Sequence, residues 1–131
     1  MADIELKELY CYYGKGKKEN LVIEDMTEHF PSGKISVIMG PSGCGKTTLL
    51  KSILGLMEYD GDIFFDDKDI YKIPTYQRNM AYINQDVSLY PHWTIFENII
   101  FPLKNKKMSR DEIYKRTRDI AERFGIAHCL N

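Results

Sequence analysis

Eight consecutive residues near the end of the chain's first third match the pattern G-x-x-x-x-G-K-[ST] without a gap. They are Gly40, Pro41, Ser42, Gly43, Cys44, Gly45, Lys46 and Thr47. Glycines permit a tight turn whose main-chain N–H groups point inward, where they meet phosphate oxygens without a side chain in the way. A random chain of this length would contain the pattern about once in a few hundred cases. The motif therefore predicts a phosphate-binding loop rather than a chance turn.

The segments on either side of the motif predict the strand and the helix that such a loop requires. Residues 35–39 form a short, mostly apolar run typical of a strand buried on both faces. Within residues 47–57 four apolar residues recur with a helical period: Leu49, Leu50, Ile53 and Leu54. A helix that begins at the loop turns its unpaired N–H groups and positive dipole end toward an anion. Lys46 would reach the β- and γ-phosphates and the Thr47 hydroxyl would bind Mg²⁺, so ATP with Mg²⁺ is the expected ligand.

The rest of the chain predicts further strands and turns. Apolar and polar residues alternate on both sides of a polar insert at residues 14–20, which predicts two antiparallel strands joined by a turn. Residues 61–70 predict a hairpin whose Asp-Asp-Lys-Asp segment makes the turn. A further strand is expected at residues 80–84.

Two capping patterns predict the starts of helices near the end of the chain. Thr94 is followed three residues later by Glu97, and Ser109 by Glu112. Gly125 is placed to end the second helix. Four residues of that helix are expected on one buried stripe: Ile113, Ile120, Ala121 and Phe124.

Composition limits the classes of protein to consider. With 131 residues the chain has room for one domain, and 44% hydrophobic with 28% charged residues is typical of a globular chain rather than a disordered one. The net charge is −1 and the lysine clusters are short, so we do not expect nucleic acid as a partner. The apolar run at residues 35–39 is far shorter than the roughly 20 residues of a spanning helix. Direct insertion into a membrane is therefore not expected.

The cysteines and the N-terminus indicate a compartment. Cys11, Cys44 and Cys129 are widely spaced and odd in number, so neither a disulfide framework nor a zinc site is predicted. The first residues are too acidic and polar for a signal or transit peptide. These features fit a reducing cytoplasm.

Two weaker candidates lie outside the loop. Tyr10, Tyr12 and Tyr13 stand at the end of a predicted strand, where an aromatic face could stack on a purine ring. Gln85 follows the predicted strand at residues 80–84, where its amide could reach both a metal and a water molecule. Taken alone, each of these features is more often structural than functional.

Together these segments resemble the ATP-binding subunit of ABC transporters, over essentially the whole chain. Residues 40–50 resemble its Walker A loop in the filler residues as well as the fixed ones, and residues 83–99 resemble its Q-loop segment as found in importers of sugars, polyamines or inorganic ions. The resemblance implies an incomplete α/β P-loop NTPase fold. An antiparallel β-subdomain with the P-loop core would occupy residues 1–85, and the Q-loop with the start of the helical subdomain residues 86–131.

The resemblance also implies a role for each matching position. Tyr13 would stack on adenine, with Tyr12 close enough to compete. Gln85 would contact Mg²⁺ or the attacking water, which makes it a second metal ligand beside Thr47. Six residues would wrap the phosphates: Gly43, Cys44, Gly45, Lys46, Thr47 and Thr48.

Partners and location follow from the same resemblance. A membrane-spanning permease subunit would dock its coupling helix on residues 86–95, and a second ATP-binding subunit would complete the nucleotide site in a dimer. The subunit would lie in the cytoplasm, on the inner face of the cell membrane, and its ATPase activity would power transport. The transported substrate is not specified by this sequence, and import is favoured over export by resemblance alone.

Several catalytic elements of the family find no match in these residues: the signature sequence, the Walker B glutamate and the switch histidine. Residues 63–67 imitate Walker B but lead into a turn, and His92 lies inside the Q-loop match. No catalytic residue is therefore identified, and we expect the chain alone to bind nucleotide weakly without meaningful turnover. The alternatives are a non-catalytic nucleotide-binding fragment and a soluble P-loop kinase or GTPase.

Overall fold

A computed structural model gives the fold over residues 3–13, 20–85, 89–106 and 108–130. The chain divides into two compact units, Met1–Tyr82 and Ile83–Asn131. The assignment of residues 1–85 and 86–131 to two subdomains of the family stays a prediction.

The first unit contains one four-stranded antiparallel sheet. Its strands are β1 (Ile4–Tyr12), β2 (Leu21–Phe30), β3 (Tyr59–Phe65) and β4 (Lys68–Asp69), in the spatial order β2-β1-β3-β4. The antiparallel pair predicted for the first 30 residues is confirmed as β1 and β2. Most of its predicted turn, residues 14–19, lies outside the described residues.

A bulge in β1 makes the buried face of this sheet continuous. Leu6 and Leu9 are both fully buried although their odd spacing would place them on opposite faces of a regular strand. Between the pairs Lys7–Asp62 and Tyr10–Asp60, β1 has two residues where β3 has only Gly61. The extra residue, with Glu8 at φ 47°, returns Leu9 to the core side.

Helix α1 (Lys46–Leu54) covers the buried face of the sheet. Leu49 and Ile53, one turn apart on the helix, join the core formed by Leu6, Leu9 and Ile63. The helix ends three residues earlier than the predicted residue 57. The physical reason is Gly55, whose φ of 73° turns the chain out of the helix.

The hairpin predicted for residues 61–70 is confirmed by the pairing of β3 with β4. Its turn is shorter than expected. Asp66 and Asp67 both have positive φ, 46° and 63°, which is the geometry of a two-residue hairpin turn matched to the twist of the strands. Lys68 and Asp69 are therefore paired strand residues rather than part of the turn.

The strands predicted at residues 35–39 and 80–84 are wrong for this structure. Neither segment is a strand, and neither pairs with β2 or β4 at the edges of the described sheet. Ile38 packs partly against the core, whereas Ile35 is 94% and Met39 85% exposed. Of these five residues only Ile38 is partly covered, and a strand exists only where a neighbour supplies the ladder of hydrogen bonds.

In its described residues the second unit has two α-helices, α2 (Ile95–Asn105) and α3 (Arg110–Arg123). Thr94 and Glu97 form the predicted capping box, and the Glu112 N–H donates to the Ser109 hydroxyl. Gly125 follows the end of α3 with φ 67°, as predicted. Short 3₁₀ turns lie at Thr75–Gln77 in the first unit and Ala127–Cys129 in the second.

The predicted buried stripe of α3 is half wrong. Ile113 and Ala121 are buried, but Ile120 is partly exposed and Phe124 is 76% exposed. Thr117 takes the middle place, since it lies four residues from both Ile113 and Ala121 and bonds its hydroxyl to the Ile113 carbonyl at 2.8 Å. A pattern of apolar residues could not predict the burial of Thr117, because its side chain is polar.

In the part of the chain that the structure describes, no helix has the length and apolar character needed to span a bilayer. The three cysteines are free.

A network around Asp3 ties the start of β1 to the end of β2 and to the hairpin turn. The Asp3 carboxylate accepts from the Ser32 N–H at 3.0 Å and lies 2.6 Å from His29 Nε2, while the Asp3 N–H donates to Asp66 at 2.8 Å. The hydrogen bond with His29, followed by the one with Ser32, holds the pKa of Asp3 below its usual 3.8.

We predict that replacing Gly61 with alanine destabilises the first unit by about 3 kcal/mol. Its φ is 91°, and an added methyl group would overlap the Glu8 carbonyl oxygen, which is main chain and cannot swing away. Gly33→Ala is the matched control, because φ is 72° there but the space around it is open. The control should cost about 1 kcal/mol. If urea denaturation shows that both variants lose the same free energy of unfolding, Gly61 is not constrained by its contact with the Glu8 carbonyl.

We also predict that Asp3 contributes to acid sensitivity. Because its pKa is lower in the folded state than in the unfolded state, its stabilisation is present above the unfolded value and is lost as pH falls through the folded value. The urea midpoint of the unchanged chain should therefore drop more between about pH 6 and pH 3 than that of Asp3→Asn. Asp62→Asn is the control and should keep the original pH profile. Identical profiles for all three chains would sink the idea.

Candidate functional site

The phosphate loop, residues 40–47, takes the sharp path that its glycines allow. Gly43 and Gly45 have φ of 84° and 96°, a conformation that residues with a side chain rarely adopt. The Cys44 N–H donates to the Pro41 carbonyl at 3.4 Å, which closes the turn between them. The path of the main chain in this loop is therefore set by local residue chemistry.

Gly40 lies directly beside the Cys44 side chain. A methyl group at residue 40 would come within 2.7 Å of the Cys44 sulfur. Cys44 is itself exposed, so this contact is made by the end of a side chain that has room to move.

The Lys46 ammonium lies over the loop. It donates to the Gly40 carbonyl at 2.8 Å and to the Pro41 carbonyl at 2.7 Å, with the Cys44 sulfur 3.6 Å away. Lys46 is the only charged side chain among residues 40–48. It therefore places one positive charge at the start of helix α1, where the positive end of the helix dipole adds to it.

The first turn of α1 offers main-chain donors beside that charge. The first N–H bonded within the helix is that of Leu49, which donates to the Gly45 carbonyl at 2.9 Å. The N–H groups of Lys46, Thr47 and Thr48 precede it and have no partner within the helix. Amides, dipole and ammonium together form an anion site of the kind that binds phosphate.

The residues present also fit a magnesium ion bound together with phosphate. Thr47 is exposed in the first turn of α1 and carries a hydroxyl oxygen, a hard ligand that suits Mg²⁺. Magnesium in nucleotide sites commonly takes few protein ligands and completes its shell with phosphate oxygens and water. No group of three or more His, Cys, Asp or Glu side chains among the described residues could hold a metal by itself.

Strand β1 brings Tyr13 to the same helix. The Tyr13 hydroxyl lies 3.5 Å from Thr48 Oγ1, and one turn further along α1 the Ser52 hydroxyl lies 3.1 Å from the Cys11 sulfur. Burial raises the pKa of Cys11, which opposes formation of a reactive thiolate there. Tyr13 keeps 45% of its surface exposed, so a ring face beside the loop remains accessible. The side chain of Thr48 is buried and only its N–H could meet a phosphate.

Gln85 belongs to the second unit and is exposed. Its role as a metal ligand stays a prediction, as does that of the neighbouring docking segment, of which Asp86, Val87 and Ser88 lie outside the described residues.

Asn98 organises the described part of that segment and was missed by the sequence analysis. Its side-chain amide donates to the Thr94 carbonyl at 2.9 Å and to the Tyr90 carbonyl at 3.2 Å, while its oxygen accepts from the Tyr90 N–H at 2.9 Å. The Tyr90 ring in turn packs against Trp93 at 4.2 Å between centroids. The sequence feature that could have indicated this role is that Asn98 is a polar residue near the start of a mostly apolar helix.

Comparison with known proteins adds a family. Residues 23–131 match the family model described as ABC transporter. The trehalose/maltose import ATP-binding protein of Thermococcus litoralis is 37% identical to the chain, over all of it and 36% of the relative. The molybdate/tungstate import ATP-binding protein of Pyrococcus abyssi is 44% identical over 79% of the chain and 29% of the relative.

A third relative, the spermidine/putrescine import ATP-binding protein of Thermotoga maritima, is 43% identical over 76% of the chain and 27% of its own length. The chain thus spans about a third of the length of the curated relatives it matches. All three relatives are named as import ATP-binding proteins, whereas the molecules they import differ.

Proposed function

The chain belongs to the ABC transporter family, and from this membership we propose that it forms the nucleotide-binding part of an importer-type ATP-binding subunit. The observation that carries the proposal is the phosphate loop, where unpaired amides, a helix N-terminus and the Lys46 ammonium meet. Family membership leaves the alternative of a soluble kinase or GTPase without support.

Each part of the site takes a distinct role in this proposal. The N–H groups of the loop and of the first turn of α1 bind the phosphates, and Lys46 exchanges its two carbonyl partners for β- and γ-phosphate oxygens. Thr47 would hold a magnesium ion, which when bound neutralises charge on the phosphate oxygens. Gln85 would be the second metal ligand or orient the attacking water, as the family resemblance implies.

Tyr13 is the better candidate for stacking on adenine. Its hydroxyl approaches Thr48 in the first turn of the phosphate-binding helix, while Tyr12 belongs to β1 and pairs with Leu21. Residues in adjacent positions of an extended chain point to opposite sides. The contact with Thr48 therefore favours Tyr13 over Tyr12.

We further propose that the subunit works at the cytoplasmic face of a membrane, with permease subunits and a second ATP-binding subunit. The docking surface would include the loop before α2, where Leu89 is 64% exposed and the rings of Tyr90, Trp93 and Phe101 pack together. Exposed apolar and aromatic side chains on a braced loop suit a protein partner. The transported molecule is selected outside these residues, since the relatives differ in what they import.

We predict that the 131-residue chain binds labelled ATP in a saturable, Mg²⁺-dependent manner, and that Lys46→Ala weakens this binding at least about a hundredfold, since a charge-assisted contact to phosphate is lost. Lys51→Ala is the matched control, because it removes the same charge from the same helix away from the loop. The control should bind within about twofold of the unchanged chain. Binding that survives Lys46→Ala, or is absent from a folded sample, would refute the proposed site.

A second prediction separates binding from catalysis. The loop contains no carboxylate that could act as a base, so the chain by itself should bind ATP yet hydrolyse it more slowly than about one per second. Phosphate release measured beside binding in the same sample checks this. Faster turnover that Lys46→Ala abolishes would show that the catalytic machinery is already present.

A further inference from the structure

Arg78 is a buried cation that donates to main-chain carbonyl groups of two separate segments. Only 9% of its surface is exposed. Its Nη1 donates to the Ile53 carbonyl at 2.8 Å and more weakly to the Ser52 carbonyl at 3.4 Å, both in the last turn of α1. Its Nε and Nη2 donate to the Ile73 and Ile70 carbonyls at 2.8 and 3.1 Å.

The guanidinium therefore joins two pieces of main chain. One is the carboxyl end of α1, where unpaired carbonyls and the negative end of the dipole favour a cation. The other is the turn at residues 70–73, which follows the β3–β4 hairpin. Within the described residues Arg78 forms no ion pair, so its charge is compensated mainly by oriented carbonyls, with the Tyr59 phenol also close to it.

The position of the Arg78 guanidinium leaves no room for a side chain at Gly55. A methyl group at residue 55 would lie 2.5 Å from the Arg78 guanidinium carbon, and the φ of 73° already disfavours any side chain. Beside it, the exposed Thr75 hydroxyl donates to the Gly55 carbonyl at 2.9 Å. Five carbonyls at or near the end of α1 and in the following turn are thus met by two side chains from one short segment.

Helix α1 connects the carbonyls held by Arg78 and Thr75 to the phosphate loop at its other end. Its nine residues span about 13 Å, so a tilt of about 5° at the last turn would move the first turn by about 1 Å. That displacement is large compared with the tolerance of hydrogen bonds to a phosphate. The orientation of Lys46 and Thr47 therefore depends on how firmly the far end of the helix is held.

We propose that Arg78 is a positioning residue for the nucleotide site, acting through helix α1 and not by contact with the ligand. The proposal rests on the proposed function, because it assumes that the loop binds a triphosphate. A lysine in its place would keep the charge but lose the planar fork that reaches both pieces of main chain.

The test compares Arg78→Lys with the unchanged chain by isothermal titration with Mg-ATP and with inorganic tripolyphosphate, which engages the loop without the base. Arg78→Lys should raise both dissociation constants about tenfold at unchanged stoichiometry. The amide NMR signals of Gly43, Gly45 and Lys46 should shift, while those of β1 stay in place. A fall in stoichiometry with an unchanged dissociation constant would indicate only loss of folded protein and would overturn the proposal.

Two further variants complete the experiment. Thr75→Val removes the exposed bond at the same helix end and should change affinity less than about twofold. Gly55→Ala displaces the guanidinium from the other side and should reproduce the loop-specific shifts even if Arg78→Lys is poorly folded. Unchanged affinity and unchanged loop signals in both Arg78→Lys and Gly55→Ala would overturn the positioning role. If the unchanged chain binds neither ligand, the proposed function itself has failed, and the role of Arg78 falls with it.

Discussion

The unpaired main-chain groups at the two ends of helix α1 are the constraint on which the first unit depends. At one end, amide groups face the phosphate loop and are reinforced by Lys46. At the other end, carbonyls are satisfied by Arg78 and Thr75. Between them, Leu49 and Ile53 pack on the bulged sheet. The start of the helix therefore favours an anion, because its N–H groups are unpaired, and its end favours a cation, because its carbonyls accept from Arg78.

Features governed by neighbours in sequence could be predicted well. The caps at Thr94 and Ser109 depend on chemistry within a few residues. The hairpin does too, although its turn is confined to Asp66 and Asp67 and does not take up the predicted Asp-Asp-Lys-Asp segment. The β1–β2 pair also followed from alternation, although the bulge that brings Leu9 beneath the helix did not. A bulge leaves its trace in the spacing of buried residues, which becomes informative only once the partner strand is known.

Features governed by distant partners could not be predicted. The apolar runs at residues 35–39 and 80–84 have the composition of strands, but composition does not supply a neighbour to bond with. Arg78 looked like one more charged residue in a polar stretch, because nothing local shows that four carbonyls converge on it. Family resemblance assigned roles to loop residues and to Gln85, but it gave no role to the hydrogen bonds between Arg78 and the carboxyl end of helix α1.

The incompletely covered segment at residues 35–39 has a consequence for the life of the polypeptide in a cell. Ser36 and Ile38 of this segment line, together with Met80, an open groove of about 1030 Å³ on the first unit. Ile35 and Met39 do not line this groove, and they are 94% and 85% exposed. Exposed apolar side chains of this kind are bound by molecular chaperones and favour proteolysis and aggregation. The amount of folded protein in a cell would then depend on how well Ile35 and Met39 are shielded from water, as well as on how tightly nucleotide is held.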